Sequence, residues 1–433
     1  MNNKKWMAIL LGGIMAASLA APCSVSAAEK TTLTFWHAMG GTNGEVLQQI
    51  VDDFNASQDE IEIKAEYQGT YDDTITKLKA AMQSDSGLPD VCQMYDVGTK
   101  FMYDSGAVIP VEDKFESTGY DKSSVMEVIS SYYTVDGKQY AMPFNVSTPM
   151  LYYNKDVFEA AGLDPETPPT TYDEVLEDAK KIVESGAAPV GYSQAIYGWF
   201  FEQQLAGLGV TYGNNDNGRK EAVTAVDFDS NGGGLKVFDM WKKLYDSGYF
   251  EDYGTTTADT QTAFFSGQVG MIIESTAILK NAVDSSPFEV GTGYLPRIEQ
   301  NDEGGVIIGG GSLWLTDTGN EANEDAAWKF IEYITTPDVQ AKWSMGTGYF
   351  AINEKAYETE DMKAYLKENP NFETAINQLK DSPVNCNTAG VLSGVQTEAR
   401  LTFNEIMPQV YDGKLTTQAV SYTHLRAHET GAY

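Results

Sequence analysis

Residues 32–95, TLTFWHAMGGTNGEVLQQIVDDFNASQDEIEIKAEYQGTYDDTITKLKAAMQSDSGLPDVCQMY, decide the fold class. Thr32–Trp36 alternates, with Leu33 and Phe35 on one face, as a half-buried strand does. Gly40-Gly41-Thr42-Asn43-Gly44 reads as a loop. Val46, Ile50 and Phe54 then share one face of a helix, with Leu47 and Val51 beside it. Ile61, Ile63, Ala65 and Tyr67 alternate again. Ile75, Leu78 and Met82 keep helical step across 72–84, and Val91–Tyr95 is a short buried strand. A β-α-β-α-β order of this kind specifies a parallel sheet with crossover helices. Ligands of open α/β sheets sit outside the carboxyl ends of the strands. Trp36-His37 and Tyr95-Asp96 fall at those ends.

Further along, residues 130–142 read as a hairpin around the turn dipeptide Asp136-Gly137. Pro143–Asn154 runs extended and crosses into a second unit. Pro165–Thr170 is a surface turn, and Thr171 caps a helix over 172–184. Helices also fit residues 196–208, 235–247, 259–265, 324–334 and 337–345, and buried strands fit 270–274 and 306–315. Asn214–Arg219 reads as an exposed hairpin tip. About 390 residues between the two ends are too many for one compact core and suit two lobes.

The ends have their own chemistry. Lys4 and Lys5 precede an apolar run from Met7 to Ala21, and Val25-Ser26-Ala27 is a small-x-small cleavage pattern. Residues 1–28 therefore read as a secretory signal peptide, with a core too short and too broken to span a bilayer. Cys23 is a candidate lipid anchor, although Pro22 stands where a small residue is expected. Residues 421–433, with His424 and His428, break from the acidic composition before them and read as a non-native tail.

The formal net charge is -33, with 21% charged and 42% hydrophobic residues, as in a soluble globular protein. Such a surface repels nucleic-acid backbones and anionic lipid, which excludes those partners. It leaves an anionic ligand open, because one well-placed Arg dominates a closed cleft. Cys92 sits in an apolar run as a buried free thiol would, and neither it nor Cys386 belongs to a CxxC or a Cys/His cluster. No metal or cofactor is expected. His37 is the only His between the signal and the tail, and neither a GxSxG elbow nor HExxH accompanies it. Gly309-Gly310-Gly311 lacks the Lys-Ser/Thr of a phosphate-cradling loop. The 62 acidic residues include no singled-out pair for glycoside hydrolysis.

What remains is a set of distant segments beside strand ends and turns: Phe35-Trp36-His37, Tyr95-Asp96-Val97-Gly98, Pro143–Pro149, Ile307–Trp314 and Thr347-Gly348-Tyr349. They bring aromatic, hydroxyl or bare-backbone groups, as a cleft for a small polar ligand needs. Trp199 is core or a stacking platform, and the glycine run is a close backbone approach or a ligand-facing amide row. Tyr71, Ser147 and Tyr349 each offer a hydrogen bond. Arg400 is a salt-bridge partner or the cation for an anionic ligand.

These segments, with PFNVSTPMLYYNK at 143–155 and AGLDPE at 161–166, resemble the extracellular solute-binding proteins of bacterial ABC importers. The likeness is to family 1, the sugar-binding cluster, and runs from Thr32 to Val420; within it the branch that binds glycerol-3-phosphate is the most similar. It implies an α/β, two-lobed periplasmic-binding-protein fold of type II with a ligand cleft between the lobes. An N-terminal lobe would hold 29–142 plus 290–345 and a C-terminal lobe 143–289 plus 346–420. It also implies a periplasmic or extracellular monomer that serves a membrane permease and does not turn its ligand over. Carried over motif by motif, the ligand contacts would be Tyr71, Asp96, Ser147, Trp199, Ser275, Gly309, Gly310, Tyr349 and Arg400. Arg400 with main-chain amides would take a phosphate, and Asp96 would accept from glycerol hydroxyls. The ligand implied is glycerol-3-phosphate or a glycerophosphodiester. Ile196 stands where those binders have a second tryptophan, which leaves room for a neutral sugar. A secreted carbohydrate-active enzyme is the rival class.

Overall fold

Strand β1 (Thr31–His37) buries Leu33, Phe35 and His37 on one face, so the alternation in sequence becomes the face of a sheet. The computed structural model describes residues 30–84 and 87–421. The expected signal peptide with Cys23, and the expected tail from residue 422, lie outside the described residues. Val420 and Ser421 are both buried, so burial continues one residue past the boundary expected at 420.

β1 pairs in parallel with β2 (Ile61–Tyr67) and β3 (Val91–Tyr95), as the β-α-β-α-β reading requires. Thr70 starts the helix Tyr71–Met82 with a reciprocal cap: its hydroxyl accepts from the Asp73 amide, and the Asp73 carboxylate accepts from the Thr70 amide. β4 (Val108–Ile109) is short. The hairpin of β5 (Thr134–Val135) and β6 (Lys138–Gln139) turns on Asp136 and Gly137, both at positive φ. β7 (Met142–Ser147) and β8 (Pro149–Asn154) are separated by Thr148 alone, yet they belong to different sheets.

The larger sheet runs β2-β1-β3-β12-β4, with β7 added on β12 (Gly309–Thr316). The smaller runs β11-β8-β10-β9, built from β9 (Val190–Ser193), β10 (Val269–Ser275) and β11 (Val290–Gly293). One core extends from the larger sheet to one face of the smaller, through Tyr152, Ile272 and Val290, and a second packs the other face of the smaller sheet. Phe35, Ile50, Trp314, Trp328 and Trp343 lie in the first; Phe158, Ile182, Phe238, Trp241 and Phe403 lie in the second. The two sheets make two lobes; the chain passes between them at residue 148 and between 293 and 309, and it passes back between the helix Pro337–Thr347 and the helix Asn371–Asp381, which packs on β11.

Three details differ from the sequence reading. Val290–Gly293 pairs with β8, so the second crossing starts after Gly293 and not at residue 290. The helix Gly41–Ser57 begins inside the stretch read as a glycine loop. Asn214–Arg219 is not an exposed hairpin tip. It is a turn with three successive left-handed residues, Asn215, Asp216 and Asn217, in which Asn217 and Gly218 are buried. Asn and Asp tolerate that conformation, so the composition that suggests a solvated tip also permits a packed turn.

His37 belongs to the core rather than to the cleft. Its Nδ1 accepts from the Met39 amide at 3.3 Å, and its ring lies 5.6 Å from Phe35 and 5.9 Å from Tyr67. Burial lowers its pKa from 6.5 to about 4. Between those values the unfolded chain binds a proton that the folded chain does not. The stability is therefore complete above pH 6.5 and is lost as pH falls toward 4, by about 3 kcal/mol. Urea titrations at pH 7 and pH 4 on wild type and His37→Gln check this. The wild type should lose about 3 kcal/mol more than the variant, and equal losses would assign the titration to another group.

Candidate ligand cleft

A cleft of about 570 Å³ opens between the carboxyl edges of the two sheets. Eight of the nine residues expected from sequence line it: Asp96, Ser147, Trp199, Ser275, Gly309, Gly310, Tyr349 and Arg400. Tyr71 does not line it. Its hydroxyl accepts from the Asn145 Nδ2 at 2.8 Å, and its ring stacks on Tyr95 at 5.0 Å, beneath the glycine run. A separate cavity of about 500 Å³, lined by Pro168, Tyr294, Arg297, Gln378 and Asp381 among others, contains none of the nine.

The first lobe supplies a backbone wall. Ser147 ends β7 and sits opposite Gly309, the first residue of β12, and Val146 sits opposite Gly310. Gly310 has φ 89°, and a Cβ there would lie 1.9 Å from the Asn145 carbonyl oxygen. A Cβ on Gly309 would lie 2.7 Å from Cζ2 of Trp199. The glycine run thus serves first to let β7 and an indole ring approach closely. Asp96 follows β3 as the first residue of a 3-10 turn. Tyr349 follows Gly348, which ends the helix Pro337–Thr347 in the left-handed region, and its ring stacks on Trp343 at 5.7 Å.

The second lobe supplies the aromatic wall and the charges. Trp199 stands in the first turn of the helix Gly198–Gly207 and is 5% exposed. It packs against Tyr197 and Phe200, so it is both cleft wall and core. Its Nε1 has no hydrogen-bond partner among the described residues, although it is buried beside the cavity. That leaves one donor for a ligand oxygen.

Arg400, on the helix Gln396–Tyr411, is already engaged. Its Nε and Nη2 donate to the two oxygens of Glu202 at 2.7 Å each, and Nη2 also donates to Asp96 Oδ2 at 2.7 Å. Gln396 completes the cluster by donating to Glu202 Oε1 at 2.5 Å. Gly198 makes the arrangement possible, since a Cβ there would lie 2.6 Å from the Arg400 Cα. Burial disfavours the guanidinium charge, but Asp96 and Glu202 more than offset this and hold its pKa well above the ordinary value. Of the two readings of Arg400, the structure displays the salt-bridge partner, at the wall of the cleft. It ties the two lobes together through Asp96, and only Nη1 is left without a partner among the described residues.

Glu274 lies one residue before Ser275 at the cleft edge of β10. Burial raises its pKa, while hydrogen bonds from Gln261 Nε2 at 2.9 Å and the Ser275 amide at 2.7 Å lower it in part. Ser275 accepts from the Ala277 amide and holds the turn after β10. Among the described residues no lysine lines the cleft. Glu202, behind the wall on Arg400, escapes the sequence reading, as do the lining residues Glu274, Tyr197, Gln261 and the threonines 255–257. The two acids did leave a trace: each is a single charge inside an apolar run, WFFEQQLA and GMIIES. Such a charge is rarely buried without a partner.

Trp199→Ala should weaken ligand binding by about 1–3 kcal/mol, and the melting temperature should also fall because the ring joins the core. Trp199→Phe keeps the packing and loses the free donor. Calorimetry on the phenylalanine variant should show weaker binding at near-normal stability. Unchanged affinity in both variants would make the ring purely structural.

The profile of the family described as bacterial extracellular solute-binding protein matches residues 49–374. The sn-glycerol-3-phosphate-binding periplasmic protein UgpB of Escherichia coli K12 is 31% identical over 395 residues, covering 90% of this chain and 89% of that protein. The UgpB of Agrobacterium fabrum is 33% identical over 399 residues, with the same shares covered. Among solved structures, the cyclic alpha-maltosyl-1,6-maltose binding protein of Arthrobacter globiformis superposes with a TM-score of 0.77 at 24% identity, covering 93% of this chain and 100% of that one. UgpB of Mycobacterium tuberculosis in complex with glycerophosphocholine superposes with a TM-score of 0.73 at 21% identity, covering 93% and 96%.

Proposed function

This chain belongs to the bacterial extracellular solute-binding proteins, and on that premise we propose that it captures a glycerophosphodiester with a cationic headgroup for the permease of an ABC importer. The observation that carries this reading is the charge balance of the cleft. Asp96 and Glu202 neutralise Arg400 with one carboxylate to spare, and Glu274 adds another. A dianion such as glycerol-3-phosphate would meet that surplus with Nη1 of Arg400 as its one charged donor, beside neutral hydroxyl and indole donors. A zwitterion meets it better. Its cation faces the carboxylates and the Trp199 and Tyr197 rings, and its single phosphodiester charge faces the remaining donors. The relatives named for glycerol-3-phosphate and the fold neighbour bound to glycerophosphocholine support the glycerophosphate backbone. Asp96 and Glu202 are both committed to Arg400, which suits capture better than turnover.

A second reading, a neutral sugar, is favoured by the pairing of Trp199 and Tyr349 with hydroxyl-accepting carboxylates in one cleft. Calorimetry with glycerophosphocholine, glycerol-3-phosphate and maltotriose separates the readings. Glycerophosphocholine should bind most tightly, and at a hundredfold its dissociation constant it should add about 2.7 kcal/mol of stability. Tight maltotriose binding with no response to either glycerophosphate would overturn the proposal in favour of the sugar.

A further inference from the structure

The turn at 214–219 carries Arg219 across the boundary between the lobes. We propose that Arg219 is a positioning residue for ligand capture, a latch that holds the lobes at the spacing seen here by clamping main-chain carbonyls on both sides of the boundary.

The turn is fixed from the second lobe. The Asn217 Oδ1 accepts from the amides of Tyr212 and Gly213 at 2.8 and 2.9 Å. Its Nδ2 donates to the Cys386 carbonyl at 2.9 Å, and its own carbonyl accepts from the Leu392 amide at 2.9 Å. The turn is therefore bolted to the segment 386–392. From that base the Arg219 side chain reaches the first lobe. Nη1 donates to the Tyr132 carbonyl at 2.8 Å and to the Thr134 carbonyl at 3.3 Å. Nη2 donates to the carbonyls of Gly390, at 3.1 Å, and Ala389, and Nε donates to Gly390 at 3.3 Å. The guanidinium also lies 5.3 Å from the centre of the Tyr132 ring. Tyr132 is part of the first core, and Tyr212 is part of the second.

The choice of partners matters. In a chain of net charge -33, no carboxylate lies within ion-pair distance of Arg219 among the described residues. Burial accordingly lowers its pKa to about 10, with the nearby Tyr132 and Cys386 opposing. A carboxylate latch would leave a buried, unpaired acid behind each time the lobes parted. Carbonyls pass to water at much smaller cost. Four carbonyls from two segments, 132–134 and 389–390, also converge on the guanidinium only at one relative position of the lobes. Arg219 touches no part of the cleft, so it acts through the lobe arrangement alone. A ligand's apparent dissociation constant rises as the fraction of closed protein falls.

The test uses the full mature chain. Arg219→Met should enlarge the radius of gyration of the ligand-free protein in X-ray scattering. For each of glycerophosphocholine, glycerol-3-phosphate and maltotriose that the wild type binds, stopped flow should show dissociation faster by about tenfold, with association unchanged. The same factor for every probe separates a latch from a ligand contact, and the scattering arm stands even if none of the three is the ligand. Arg219→Lys keeps the charge without the fork and should fall between the two; it also serves if the methionine variant does not fold. A variant that melts lower while its radius and dissociation rates match wild type would overturn the proposal and leave Arg219 a static staple.

Discussion

Arg400→Ala should cost about 3–5 kcal/mol of stability at neutral pH, the largest effect of any single side chain in the cleft. The reason is not the arginine itself but what it would leave behind. Asp96 and Glu202 are buried, and each gives its charge to the same guanidinium at 2.7 Å. Without it they repel one another in a space that water enters poorly. Guanidinium titrations of wild type and variant at pH 7 measure that penalty. Adding Glu202→Gln to Arg400→Ala should recover part of the loss. A variant as stable as wild type at pH 7 would mean that the cluster does not assemble in solution. Arg400→Lys keeps a cation but cannot make the paired contact to Glu202 while reaching Asp96, and it should lose affinity for every ligand, neutral ones included.

Gly310→Ala should be nearly as damaging, at more than about 4 kcal/mol. Two costs add. An L-residue at φ 89° is strained, and the new methyl would lie 1.9 Å from the Asn145 carbonyl oxygen, a main-chain atom that cannot swing away. Asn145 in turn accepts from Gln93 Nε2 at 2.7 Å and donates to Tyr71, so displacing it loosens the floor of the cleft. Gly309→Ala makes the useful contrast. Its methyl would meet the Trp199 ring edge at 2.7 Å, and the ring belongs to the opposite lobe. It should prop the cleft open, weakening binding by calorimetry while the melting temperature changes less than for Gly310→Ala. Equal melting temperatures in the two variants would count against this account of the glycine run.

Local patterns carried much of the architecture. The strands at 31–37, 61–67 and 91–95 announce themselves because one face of each is buried, which forces apolar residues into alternation. The helix at 172–185 is announced by Thr171, whose hydroxyl accepts from the Glu174 amide at 3.2 Å while Glu174 answers the Thr171 amide. Two of the misreadings share one cause. The turn at 214–219 and the strand at 290–293 are set by what packs against them from far along the chain, Leu392 and Cys386 in one case and β8 in the other. No local period records such a partner.

The same division runs through the cleft. The amino-acid sequence by itself determined the two-lobed α/β class and the segments that would meet at the strand ends, because those follow from burial, turn chemistry and family likeness. It could not determine the electrostatics. Asp96 and Arg400 stand 304 residues apart, and Glu202 and Arg400 stand 198 apart. Whether Arg400 is a cation free for a ligand or one spent on two carboxylates depends on distances of a few ångströms that only the packing of helix 198–207 against helix 396–411 creates. Coulombic interactions act through space and fall with separation and dielectric, not with position along the chain. That is why tertiary structure alone decided the sign of the charge this cleft presents.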